Sequence, residues 1–122
     1  MTAHEMLNKA LRRLGYTDAN GNEQLHRRIL TKAVDIIDDV YCELWQIVKQ
    51  NEEFEGIENL SDTLDLPEKA LRVMVYGVAA FIAISENDDV NKNWWLSVYN
   101  QKRATLSVIT SKKDKMPTVY GG

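Results

Sequence analysis

Along the 122-residue chain, apolar side chains recur at intervals of three and four in four separate segments, the spacing of amphipathic helices. Ala3, Met6, Leu7, Ala10, Leu11 and Leu14 trace one face of a short first helix. Thr2-Ala3-His4-Glu5 has the form of a capping box, in which hydroxyl and carboxylate satisfy backbone N–H groups left over at a helix start. Gly15 supplies the stop, and Asp18, Asn20 and Gly21 suit the turn that follows.

A second helix is predicted from about Glu23 to Gln50, unbroken by proline or glycine. Leu25, Ile29, Ala33, Ile36, Val40, Leu44 and Ile47 form one row at helical spacing. Leu30, Val34, Ile37, Tyr41, Trp45 and Val48 form another beside it. At 1.5 Å per residue such a helix is about 40 Å long, the spine of a small domain. The stretch from Asn51 to Leu66 is polar but carries Phe54, Ile57, Leu60, Leu64 and Leu66, and so reads as a packed loop with apolar anchors.

Pro67 and Glu68 suit the first turn of a third helix, predicted to end near Ser85. From Val73 to Ile84 no residue is charged. A bilayer span needs about 20 apolar residues, whereas this run is about a dozen and is entered through Glu68, Lys69 and Arg72. The expectation is therefore a buried core helix and no membrane segment. Gly77 in its middle costs roughly 1 kcal/mol relative to alanine, so close approach of another helix at Gly77, Ala80 and Ala83 is expected. Asn87, Asp88 and Asp89 form a tight turn and cap for a fourth helix, from about Val90 to Leu106, antiparallel to the third. Its apolar side uses Trp95, Val98, Tyr99 and Leu106, with Trp94 on the flank. After Ser107 the period is lost, which predicts an extended C-terminal arm over 107–122 on an all-α four-helix domain over 1–106.

Composition narrows the function. Hydrophobic residues make up 44% and charged residues 27%, the balance of a folded globular chain. A net charge of −3 carries no basic footprint for general nucleic-acid affinity. The first residues have no apolar run of the secretory type and read as helix. Cys42 alone forms no intramolecular disulfide.

Catalytic chemistry finds no foothold in this pattern. His4 and His26 stand outside any metal-ligand spacing. Cys42 lies one turn from Asp38 and Asp39, which disfavour a thiolate. The acid pairs Asp38-Asp39, Glu52-Glu53 and Asp88-Asp89 read as solvated faces or a cap, and the glycines form no phosphate loop. No enzyme, no cofactor and no metal is expected. Trp94-Trp95 is different, because two adjacent tryptophans on a helix cannot both face the core, and aromatic residues are enriched at interfaces. Core packing is the default for either one alone.

Taken in order, "TAHEMLNKALRRLGYTDANGN", "LTKAVDIIDDVYCELW", "SDTLDLPEKALRVMVYGVAAFIAISEND" and "WWLSVYNQKRATL" resemble the all-helical head-tail adaptor (connector) proteins of tailed bacteriophages. The specific part is the Leu-Pro-Glu helix start, the Tyr-Gly-Val-Ala-Ala segment, the acidic turn and the Tyr-Asn helix. The resemblance implies a structural virion protein, made in the host cytoplasm and placed in the neck between capsid and tail. There it forms a ring, usually dodecameric, below the portal, extends the DNA channel and offers the tail its attachment surface. The implied partners are further copies of the chain, the portal protein and tail or other neck proteins, with DNA passing through unread. Candidate interface residues are Trp94, Trp95 and Tyr99, with Lys112, Lys113, Lys115, Met116, Val119 and Tyr120 of the arm. Candidate channel-facing acids are Asp35, Asp38, Asp39 and Glu43, since a weakly repelling wall lets DNA slide. A small helical regulator acting through a partner helix is the alternative.

Overall fold

A computed structural model describes the backbone of residues 1–16 and 23–106 and, in the second segment, side chains from Arg27 onward. The expected turn at Asp18, Asn20 and Gly21, the His26 side chain and the arm at 107–122 lie outside the described residues. Among the described residues there are four helices and no strand, only an isolated antiparallel bridge between Thr2 and Thr63. The fold is an all-α, four-helix domain.

Helix α1 spans Ala3–Leu14. Its capping box is complete: the Thr2 hydroxyl accepts from the Glu5 N–H at 3.2 Å, and the Glu5 carboxylate accepts from the Thr2 N–H at 2.9 Å. The loop after α2 finishes the cap, since Ala3 N–H donates to the Asp62 carbonyl and His4 N–H to that of Leu60, both at 2.9 Å. These bonds occupy backbone donors that a helix start leaves unpaired. Gly15 closes α1 in the left-handed region at φ 77°, where a side chain would be strained. All six apolar residues of the predicted face are buried.

Helix α2 spans Glu23–Val48. Both apolar rows supply the core, through Ile29, Ala33, Ile37, Val40, Tyr41, Leu44, Trp45 and Val48. Val34, Ile36 and Ile47 are half-buried at the flanks, and Leu30 is exposed, because the apolar face is wider than the neighbours that cover it. The loop is pinned to α2 at three points: Asp38 accepts from the Ile57 N–H at 2.8 Å, the Tyr41 hydroxyl accepts from the Asp65 N–H at 2.9 Å, and the Trp45 indole donates to the Glu52 carbonyl at 2.9 Å. Phe54 meets Tyr41 and Trp45 edge-on at 5.1 and 5.7 Å, so the apolar anchors hold as the pattern predicts.

Helix α3 spans Glu68–Ser85 and is buried at most positions from Ala70 to Ala83. Helix α4 spans Asp89–Ala104 and is capped by Asp88, which accepts from the Asn91 N–H at 3.3 Å. The two form a helical hairpin in which Gly77 lies against the ring of Tyr99. A Cβ built at Gly77 would come within 2.7 to 2.9 Å of three ring carbons. That contact is the close approach expected from the sequence, and the neighbour is α4. Tyr99 is fully buried. Its hydroxyl donates to Glu43 of α2, whose other carboxylate oxygen is 2.6 Å from Arg103.

Gly77→Ala tests this contact. Helix propensity alone would stabilise the variant by about 1 kcal/mol, but the ring, held by Glu43 at one end and α4 at the other, has little room to move. Overpacking of this kind costs about 1–3 kcal/mol, so the melting temperature falls, and Gly77→Leu falls further. A higher melting temperature for the alanine variant would contradict the close approach.

Candidate interaction surface

The turn between α3 and α4 is tied to the rest of the domain by polar contacts. Asn87 turns the chain at φ 57°. Tyr16, just past α1, donates its hydroxyl to Asp88 at 2.5 Å, and the Asn91 amide donates to the Leu14 carbonyl at 3.2 Å. From α2, Arg28 and Lys32 reach Glu86 at 2.7 and 3.4 Å, and the Glu86 side chain is almost covered. The hydrogen bond from Arg28 holds the Glu86 carboxyl below its usual range against the opposing effect of burial. The hydrogen bonds from Tyr16 and Asn91 do the same for Asp88. Burial first, then the bond to Asp88, pushes the Tyr16 hydroxyl up. These residues fix the angle at which α4 leaves α3.

With α4 so placed, its tryptophans separate. Trp95 is half-buried and stacks on Tyr76 of α3, with centroids 5.8 Å apart and planes within 2°. Arg13 of α1 lies over the other ring of that stack, 5.7 Å from the Tyr76 centroid. The Trp95 indole N–H is enclosed and has no acceptor among the described residues. Trp94 points outward and is 64% exposed, and Val90, one turn earlier, is 82% exposed. The exposed residues from 90 to 101 are Val90, Asn93, Trp94, Ser97, Asn100 and Gln101, and none carries a charge. In a chain with 27% charged residues, this uncharged stripe centred on a tryptophan is the most interface-like surface among the described residues.

One expected interface residue is corrected. Tyr99 belongs to the core, because it sits one turn beyond Trp95 on the inner side of α4, where Gly77 makes room for its ring. Burial raises its pKa, and the bond to Glu43 adds to the shift. The expected channel-facing acids divide. Glu43 is engaged by Tyr99 and Arg103, and Asp38 by the Ile57 N–H, so both are used in contacts within the chain. Asp35 and Asp39 are the exposed members. Lys112, Lys113, Lys115, Met116, Val119 and Tyr120 lie outside the described residues. Cys42 is half-buried, with the Gln46 amide 3.6 Å from its sulfur.

Sequence reading missed a second feature. Between α1 and α3 lies an open cavity of about 550 Å³, with Lys9, Arg12, Arg13 and Arg72 at its rim and Leu71, Val75 and Tyr76 among its lining residues. Glu68 is the one acid there, 3.4 Å from Arg72 in a largely exposed pair. The chain is acidic overall, yet folding gathers four cations from two helices. The signal was the Lys9, Arg12, Arg13 spacing on the polar side of α1, but nothing in that spacing says that Arg72 of α3 lies beside it.

Among the described residues, no group of three or more His, Cys, Asp or Glu side chains is placed to hold a metal ion, and no helix is long and apolar enough to cross a membrane. What the fold presents is an all-helical domain with an uncharged aromatic face and a cationic groove. Comparison with known protein families, curated proteins and solved structures finds no match to this chain.

The turn makes the domain acid-sensitive in a stated direction. Carboxyls held below their ordinary range contribute stability above the unfolded value, near 4, and lose it as pH falls through the depressed folded value. Thermal melts between about pH 5 and pH 2 will therefore show falling stability. Replacing Glu86→Gln and Asp88→Asn together will lower the melting temperature at neutral pH and flatten that dependence. An unchanged slope would show that these carboxyls do not carry it.

Proposed function

We propose that this protein is a head-tail adaptor of a tailed bacteriophage, a structural ring subunit that binds below the portal, continues the DNA channel and carries the tail attachment surface. The observation that carries the reading is the exposed, uncharged face of α4 around Trp94. Among the described residues Trp94 is the most exposed aromatic, and holding it in water adds nothing to the packing of the domain. Covering it against another subunit removes large apolar area from solvent, at about 25 cal/mol per Å².

The helix order and the residues from Asp62 to Asn100 that resemble the adaptor family support the same reading. In a ring, each copy uses two different patches in head-to-tail contact, so an exposed stripe on one helix is matched by another part of the neighbour. Exposed Asp35 and Asp39 fit a wall that DNA slides past. The work of such a protein lies in its interfaces, and it needs no cofactor.

Native mass measurement of the purified chain, alone and with a portal ring, tests the proposal. A ring of many copies, dodecameric in the adaptor pattern, is the expected result. Trp94→Ser should weaken ring formation while changing stability by no more than about 0.5 kcal/mol, as is usual for an exposed site. A stable dimer that the portal does not enlarge would favour the helical regulator, and salt-sensitive DNA binding by the free chain would count against both.

A further inference from the structure

The cationic groove between α1 and α3 has a counterpart in the same chain. The loop after α2 carries Glu52, Glu53, Glu55 and Glu58, all exposed, with no cation between Asn51 and Glu58. The loop is not loose: Trp45 holds the Glu52 carbonyl, Asp38 holds the Ile57 N–H, and Phe54 is packed beneath it. Its four carboxylates are therefore presented from a fixed backbone, which lowers the entropy lost when they are bound. In the groove, Lys9, Arg12 and Arg13 project from the last turns of α1 and Arg72 from α3. Among the described residues Arg72 is matched by the exposed Glu68, a pair of little energetic consequence. The excess is positive in the groove and negative on the loop.

We propose that the groove lined by Lys9, Arg12, Arg13 and Arg72 receives the acidic Glu52–Glu58 loop of a second copy of this chain. The inference rests on the ring reading and names one of its contacts. Donor and acceptor are different patches, so the contact repeats from copy to copy and closes into a ring when the rotation allows. Opposite charges bring the copies together and fix their register. Such contacts weaken with salt.

Sedimentation velocity of the full chain at low and high salt, with charge-swapped variants, tests the contact. Lys9→Glu, Arg12→Glu and Arg72→Glu together reverse the groove. Glu52→Lys, Glu53→Lys and Glu55→Lys together reverse the loop. Each set should weaken self-association by about tenfold or more, since it places like charges together. The chain carrying both sets keeps its net charge of −3 and should regain association, which neither misfolding nor a change in total charge would produce. Thermal melts of each variant show that the helices remain folded. Self-association that survives either reversal, or that is not regained in the combined variant, overturns the contact and leaves the ring reading standing. A wild-type chain that stays monomeric overturns the contact too, and overturns the ring reading only when the portal also fails to gather it.

Discussion

The seat of the Tyr99 ring against Gly77 is the contact on which the domain depends. It allows α4 to lie on α3 with the Tyr99 ring packed directly on the Gly77 backbone. The hydroxyl at the far end of the ring then reaches Glu43, so one residue joins α3, α4 and α2. Arg103 completes the group by bonding the other oxygen of Glu43 and lying 5.0 Å over the Tyr99 ring. A buried hydroxyl with a charged acceptor is satisfied, whereas the same hydroxyl without Glu43 would be an unpaired donor in the core. Glycine at 77 is therefore a packing requirement, set by the ring that fills the space a side chain would take.

From that seat the outward face of α4 follows. Residues 94 and 95 differ by about 100° around a helix, so turning Tyr99 and Trp95 inward leaves Trp94 with Val90 on the outside. The polar clamp at the α3–α4 turn, from Tyr16, Arg28 and Lys32, sets the same orientation from the other end of the hairpin. Stability and the exposed surface are thus two results of one arrangement.

Much of this fold was legible in the sequence because its signals are local. Thr2 with Glu5, Gly15 and Asp88 mark helix ends through bonds made within a few residues, and Pro67, expected in the first turn of α3, lies one residue before it at the cap without a side-chain bond. Gly77 announced a close neighbour. The surface was less legible, since its elements depend on which faces meet. Tyr99 has an aromatic ring and a hydroxyl, suited equally to an interface or a core, and its partner Glu43 is 56 residues away. Lys9, Arg12 and Arg13 lie on the polar side of α1, and nothing local in the sequence says that α3 brings Arg72 alongside. Glu43 and Asp38 shared a helix with Asp35 and Asp39, and only tertiary contacts separate the first two from the exposed pair.

The central claim is that Trp94 is held in water by the free subunit so that assembly can cover it. Fluorine NMR of the fluorotryptophan-labelled chain, with the Trp94 signal assigned through Trp94→Phe, reads that residue directly. On assembly, the Trp94 resonance is predicted to move and lose its solvent isotope shift, while that of the buried Trp45 stays unchanged. A Trp94 resonance that remains solvent-exposed in the assembled particle would contradict the account.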